Sequence, residues 1–478
     1  MKRENSLYIK GVFVIIAVFF LAKLFFLSRY HSVIWDEAIY IGIGKYLWSA
    51  GQAGLFDIQR PLLLPLIIGL FWRLGLNPII AGEILGIIFS SGLIFAGYLV
   101  GRRLVNEKVG LIASMITATL PAIVLYSSYI LTDIPSVLFS LLAIYSLISR
   151  KWSQAGVFFG LSFLLRFPHL LTAIAATAIL LFACVMKRDK IVLKNVLTMI
   201  VFFGLTIAPW LVFNAFYFGG ISSAIAPLQK ANVNINDVAV HNAQEPSFYA
   251  ASTLKQSVLF VFLLPFIFFY IKNRWYKELK FNVLLLAALS HLIYLSFFIF
   301  NDERYAISFI PFLTVLASVG IYKITDVKDK IFKKIITIII IALVVALTAR
   351  TAYHDQDYYY WRDANEPPMY SEYYKFFTNN PREGTIFTSD PVHATYADNK
   401  FIANSFFIEQ TAEEYDKNKD SIAAVIYLPA SFPCLSDDIK CEDGKKLFLK
   451  KLIAENELVF NKTYDGKTYY IFERNPKS

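Results

Sequence analysis

Apolar runs of about twenty residues recur along the first 350 positions, and a short charged stretch breaks each from the next. A helix of that length crosses the ~30 Å hydrocarbon layer of a bilayer. The pattern predicts helices over about 8–28, 78–100, 109–127, 131–149, 154–166, 168–186, 194–217, 254–271, 281–299, 304–322 and 331–349. Between the first two lies a polar and amphipathic segment, 29–60, then a short apolar piece, 61–75, with Pro61 and Pro65. That piece is short for a crossing and reads as lying in the outer interface. The expected fold class is an α-helical polytopic membrane protein with about eleven transmembrane helices.

After position 350 the pattern changes. "GTIFTSD" and "SIAAVIYLP" read as strands, and "ELVFNKTYDGKTYYIFER" reads as a hairpin around Asp465-Gly466. "CEDGKKLFLKKLIAEN" has the spacing of an amphipathic helix. These elements predict a small α/β domain over 351–478, entered through the aromatic, acidic stretch "YHDQDYYYWRDANEPPMY". The expected division is a membrane domain over 1–350 and this second domain over 351–478. Within the first, the loop 29–78 carries an acidic pair, and the loop 218–253, rich in small residues and Asn, has the character of a lid.

Composition agrees: the chain has 478 residues, 56% of them hydrophobic. One soluble core does not need that much apolar sequence. The net charge of +10 does not point to nucleic acid, because the basic residues gather in short loops such as Arg102-Arg103 and Lys333-Lys334. With the N-terminus in the cytoplasm every inner loop is basic, which orients the chain in the cell membrane and puts 351–478 outside. The first apolar run lacks a small-residue cleavage site and reads as a retained helix. Cys184 lies in an apolar run, whereas Cys434 and Cys441 lie close together in the outer tail. The latter two are either a small disulfide loop or unrelated thiols.

Ionisable residues at the edge of a membrane are costly and suggest function. Here they gather on one predicted rim: Asp36 and Glu37, Arg60, Glu83, Asp133, Arg166 and His169, and then Asp302, Glu303 and Arg304. Each has a plain alternative. Asp36 and Asp133 are placed to serve helix N-termini, Arg166 to snorkel, Glu303 and Arg304 to pair in a loop, and Glu83 and His169 to pack. Together, carboxylates and arginines suit transfer chemistry on a phosphorylated lipid. A carboxylate removes the acceptor's proton, and arginines hold the phosphate and its gathering charge.

The ordered pieces "IWDEAIYIGIGKYL", "QRPLLLPLIIGLFWRLG", "YILTDIPSVLFSLLAIY", "GLSFLLRFPHLL" and "DERYAISFIPFL" cover most of residues 8–325. In them the chain resembles the GT-C class of polytopic glycosyltransferases, in the branch of the protein O-mannosyltransferases and the lipid A aminoarabinose transferase. The resemblance implies a polyprenyl-phosphate sugar as donor and an extracytoplasmic acceptor that is protein, lipid or glycan. It implies Asp36 as catalytic base, Glu37 as its partner and Asp133 as a second site carboxylate. It also implies Arg304 and Tyr305 at the donor phosphate, with Arg60 and Arg166 as further candidates. Arg60-Pro61-Leu62 only partly matches the Arg-Pro-Pro of many members, and His169 stands where most carry Thr. No chemical role is carried over to His169. The Trp-Trp-Asp signature of oligosaccharyltransferases is absent, which disfavours transfer of a whole oligosaccharide.

The implied activity is transfer of a single sugar with inversion. The main rival of another class is a membrane transporter or flippase of a lipid-linked or anionic substrate. Such proteins usually show internal repeats and midplane charges, and neither is evident. No cofactor is required by the motifs. Asp36, Glu37 and Asp133 have the chemistry to hold a divalent cation, but their spacing is not diagnostic of one. The expected partners are the lipid-linked sugar, the acceptor and membrane lipids.

Overall fold

The computed structural model describes residues 2–27, 33–187, 190–220, 223–228, 247–297, 302–326, 330–360, 368–403, 407–432, 434 and 438–474. Most of the lid-like loop, 229–246, and the end of the aromatic connector, 361–367, lie outside the described residues. Two compact units emerge. One joins Met1–Ser28 to Glu83–Tyr360, and the other joins Arg29–Gly82 to Trp361–Ser478. The loop carrying the acidic pair is therefore grouped with the tail.

The first unit is helical. Its elements are α1 (Lys2–Leu27), most of α4 (Pro78–Leu104), α5 (Glu107–Thr119), α6 (Pro121–Tyr126), α7 (Asp133–Ile148), α8 (Trp152–Leu165), α9 (Leu170–Lys187) and α10 (Lys190–Tyr217). They continue with α11 (Phe248–Gln256), α12 (Leu263–Lys272), α13 (Leu279–Ser296), α14 (Ile310–Thr325) and α15 (Lys330–Tyr360). The second unit adds α2 (Trp35–Trp48) and α3 (Leu63–Arg73) ahead of α4.

Among the described residues, five helical spans are long and apolar enough to cross a membrane. A sixth arises if α11 and the segment Val258–Lys272, bent by 108°, count as one. The chain is a multi-pass membrane protein. Two expected crossings are interrupted for local reasons. The run expected over 109–127 breaks between α5 and α6, where Pro121 forces the preceding Leu120 to an extended ψ of 123°. The run over 254–271 breaks at Ser257, and the side chain of Gln256 takes the free amide of Ala122 at 2.9 Å. The apolar piece 61–75 becomes α3, 11 residues long. That is about 16 Å, half of a crossing.

Helices pack closely where side chains are small, as expected when lipid offers no hydrophobic drive. A methyl on Gly156 of α8 would stand 2.2 Å from the Met199 carbonyl of α10. The helix α14 is buried continuously from Ile310 to Ile321 and forms the middle of this unit.

The second unit is built on a five-stranded sheet in the order β2-β1-β3-β5-β4. Its strands are β1 (Thr385–Thr388), β2 (Lys400–Ala403), β3 (Ile422–Tyr427), β4 (Asn456–Tyr464) and β5 (Lys467–Arg474). The first three are parallel, and β5 pairs antiparallel with β3 and β4. Asp465 and Gly466, with φ of 48° and 74°, make the expected hairpin turn. The tail also carries the helices α16 (Phe376–Asn379), α17 (His393–Tyr396) and α18 (Ile408–Asn418). The predicted amphipathic helix is α19 (Ile439–Glu455), which buries Phe448 and Leu452 against Val425, Tyr427 and Phe472 of the sheet. Cys434 and Cys441 are disulfide-bonded.

Backbone and side-chain contacts join the loop 29–82 to this tail. Gly54 pairs with the outer edge of β2: its amide donates to the Asn399 carbonyl at 2.8 Å, and the Phe401 amide donates to the Gly54 carbonyl at 2.7 Å. Lys45 of α2 is buried and donates to the carbonyls of Thr395 and Ala397. Within the loop, α2 and α3 meet backbone to backbone, because a methyl on Gly44 would stand 2.6 Å from the Pro65 carbonyl.

Candidate active site

Of the residues singled out from the sequence, Asp36, Glu37 and Arg60 belong to the second unit. Glu83, Asp133, Arg166, His169, Glu303, Arg304 and Tyr305 belong to the first.

In the second unit the acidic pair opens α2. Its two carboxylates do different things. Glu37 is fully buried, and one of its oxygens accepts the Ile34 amide at 2.9 Å. This amide lies at the helix start, where N–H groups lack intrahelical partners and a carboxylate is favoured. Asp36 instead keeps some exposure and forms an ion pair with Arg60 at 2.8 Å. Arg60 also faces Asp57 at 3.5 Å, and its guanidinium lies 5.9 Å from the centre of the Tyr40 ring. One carboxylate thus fixes the helix start and the other stands beside a partly exposed cation. The cap position itself is Ile34, whose amide Glu37 accepts, while Asp36 lies with Glu37 in the first turn of the helix.

In the first unit Asp133, Arg166, Arg304 and Tyr305 converge. Asp133 lies in the first turn of α7 and is 1% exposed. Arg166, which ends α8, approaches one of its oxygens at 2.8 Å, and Arg304 approaches the other at 3.8 Å. Asp302 caps the turn that presents Arg304, accepting its amide at 2.8 Å and facing its guanidinium at 3.8 Å. The ring of Tyr305 lies under both guanidinium groups, at 4.9 Å from that of Arg166 and 5.3 Å from that of Arg304. A planar cation stacked on an aromatic face is held in place with its N–H edge open to an anion.

Glu303 stands apart, half-exposed and 4.0 Å from Lys255. Glu83 is buried in the first turns of α4. His169 is fully buried in a polar ladder that supports the start of α7. Its Nδ1 meets Ser140 Oγ at 2.9 Å, Ser140 meets Ser162 at 2.7 Å, and Ser162 donates to the Ser136 carbonyl at 2.7 Å. Its ring lies 4.7 Å from that of His291, which the sequence reading passed over. The available signal was one histidine inside the apolar run "LLLAALSHLIYLSFF".

A divalent cation does not fit these carboxylates as they stand. Asp133 already faces two guanidinium groups and Asp36 faces one, so an added metal would meet like charge. Among the described residues no three of His, Cys, Asp or Glu are grouped to hold a metal ion.

Apolar helices followed by a small α/β domain give the chain the fold of the GT-C glycosyltransferases. Residues 59–213 match the family model described as dolichyl-phosphate-mannose-protein mannosyltransferase. Among solved structures, the chain is similar to ArnT from Cupriavidus metallidurans bound to undecaprenyl phosphate. The TM-score is 0.63 at 11% identity, covering 97% of this chain and 98% of that one. It is similar to the Archaeoglobus fulgidus oligosaccharyltransferase tethered to an acceptor peptide, with a TM-score of 0.63 at 12% identity over 98% of this chain and 74% of that one. It is also similar to the mycobacterial arabinofuranosyltransferase AftD, with a TM-score of 0.55 at 11% identity over 98% of this chain and 40% of that one. No curated protein matches the chain in sequence.

Proposed function

We propose that the protein is a membrane glycosyltransferase that moves one sugar from a polyprenyl-phosphate donor to an extracytoplasmic acceptor, with inversion at the anomeric carbon. The observation that carries this reading is the division of labour between Glu37 and Asp36. Burial and the Ile34 amide commit the first to structure, leaving the second, part-exposed and oriented by Arg60, to take a proton. The family match over residues 59–213 and the lipid phosphate in the similar ArnT structure support a lipid-linked donor.

In the proposed reaction the acceptor hydroxyl gives its proton to Asp36 as its oxygen bonds to the anomeric carbon. The bond from that carbon to the phosphate oxygen breaks, and its electron pair leaves with polyprenyl phosphate. Arg304 and Arg166, steadied on Tyr305 and by Asp133, are the groups best suited to carry the phosphate charge, with Arg60 as a further candidate.

The test uses purified protein in lipid with radiolabelled polyprenyl-phosphate mannose, glucose and arabinose. Release of polyprenyl phosphate is followed with membrane extract as acceptor. Turnover of one donor by the wild type, abolished in a folded Asp36→Asn variant, supports the reading. No turnover of any donor, or equal turnover by the variant, sinks it and moves weight to a transporter.

A further inference from the structure

Lys45 lies near the C-terminal end of α2, nine residues after Asp36 and therefore about 13 Å further along the same helix. It is 2% exposed. Its ammonium donates to the Thr395 carbonyl at 2.9 Å and the Ala397 carbonyl at 3.1 Å, and it meets Asp398 Oδ1 at 2.9 Å. All three acceptors belong to the tail, at and just after the end of α17, where carbonyls lack helical partners. An ammonium has three protons, and here each has an acceptor. Asp398 takes a further bond from the indole of Trp72, at 3.2 Å, in the last turn of α3.

The surroundings leave this contact little play. Gly54, at φ 76°, has no room for a side chain: a methyl would meet the Gly42 carbonyl at 2.1 Å and the Lys45 Cβ at 2.8 Å. A methyl on Gly42 would stand 2.7 Å from Leu55 Cγ and in ordinary contact, at 3.5 Å, with the Ala394 Cβ of α17. Burial pulls the Lys45 pKa below its ordinary value, and Asp398 pulls it back up. Desolvating an ammonium costs several kcal/mol before its partners offset it, and an apolar residue would bind a neighbouring domain more cheaply. What the ammonium adds is register, because three directional bonds fix one relative placement of α2 and α17.

We propose that Lys45 is a positioning residue, the clasp by which the tail domain sets the place of α2 and hence of the Asp36 carboxylate. This rests on the role proposed for Asp36. It gives the tail a task in the reaction itself, as the scaffold of the helix that carries the base.

The test compares full-length wild type, Lys45→Met and Asp398→Asn in lipid, by amide hydrogen exchange of residues 35–48 and by turnover of the same three labelled donors. Methionine keeps the length of the stem and removes the three bonds. Asp398→Asn, at an exposed carboxylate, is the milder variant should Lys45→Met fail to fold. The expected result for Lys45→Met is faster exchange confined to α2 and its partners. Its kcat should fall about ten- to a hundredfold, with the donor KM within about threefold, the pattern of misplaced groups rather than lost binding. Asp398→Asn should fall between it and the wild type in both readouts. Unchanged exchange in α2 overturns the clasp whatever the activity does. Faster exchange with unchanged kcat overturns the positioning role. If the wild type turns over no donor, the catalytic reading fails and the positioning role with it, while exchange still decides separately whether Lys45 holds the helix.

Discussion

Arg60 Nη2 stands 2.8 Å from Asp36 Oδ1, and the same guanidinium faces Asp57 at 3.5 Å. One cation thus holds the candidate base in a fixed rotamer while leaving its second oxygen outside this pair. Removing the cation should disorder the base without deleting it. Arg60→Ala is expected to lower donor turnover about ten- to a hundredfold. Arg60→Lys should recover part of that, since it keeps the charge and loses the planar fork. Steady-state kinetics on both variants checks this, and equal activity in Arg60→Ala would detach Arg60 from the reaction.

Glu37 should behave unlike its neighbour. Its carboxylate serves the Ile34 amide, so Glu37→Ala should cost about 0.5–2 kcal/mol of stability, the usual scale for a lost helix cap. Glu37→Gln keeps an acceptor oxygen and should retain most of the turnover, whereas Asp36→Asn should not. Melting temperatures and initial rates of the three variants separate the two roles. A dead but fully stable Glu37→Gln would count against this division.

Asp133 is the most deeply buried member of its cluster, and Arg166 is its closer partner. Arg166→Met leaves a buried carboxylate whose remaining cation among the described residues is Arg304 at 3.8 Å. Breaking a buried pair from one side costs about 3–5 kcal/mol. Adding Asp133→Asn to that variant should restore a good part of the stability while activity stays low. A double-mutant cycle on unfolding midpoints measures the coupling, and strict additivity would mean the pair contributes nothing.

The tail carries two buried titrating groups with opposite consequences. Burial raises the Asp390 pKa to about 6 from its usual 3.8, against the opposing effects of the Val392 amide, the Tyr374 hydroxyl and Lys467. The folded tail therefore binds this proton more tightly than the unfolded chain. That contribution is complete below pH 3.8 and lost as pH rises through 6, a difference on the order of 3 kcal/mol. Burial lowers the His393 pKa to about 3 from 6.5. Its contribution is complete above pH 6.5 and is lost as pH falls toward 3. On acidification from neutral the two oppose each other. Asp390→Asn should raise the melting temperature of the tail at pH 7.5, and the advantage should disappear by about pH 4. A constant difference across that range would refute the assignment.

Much of this architecture was legible in the chain itself. Apolar runs marked the helices, and alternation and Asp465-Gly466 marked the hairpin, while a helix start at Asp36 was one of two readings of the acidic pair. Local chemistry sufficed for these, because each depends on neighbours a few residues away. Lys45 was not legible. In "GIGKYLW" it reads as a surface lysine on an amphipathic helix, and its acceptors lie 350 and 352 residues further on. The polar ladder from His169 to Ser136 was hidden for the same reason, since serines spaced along apolar helices carry no mark of which partner they will meet. The sequence also grouped 29–82 with the membrane helices by proximity along the chain, whereas packing groups it with the tail.

The pairing of Gly54 with Lys400 bears on how the chain is made. Synthesis proceeds at roughly 5–20 residues per second. The glycine is thus translated about 20–70 seconds before the strand edge it completes. Over that interval the ribosome delivers α4 to α15 to the membrane, and α2 has no tail to bury Lys45. Assembly of the second unit is then a late event in biogenesis, and a chain truncated before residue 395 would reach the membrane with its acidic helix unclasped.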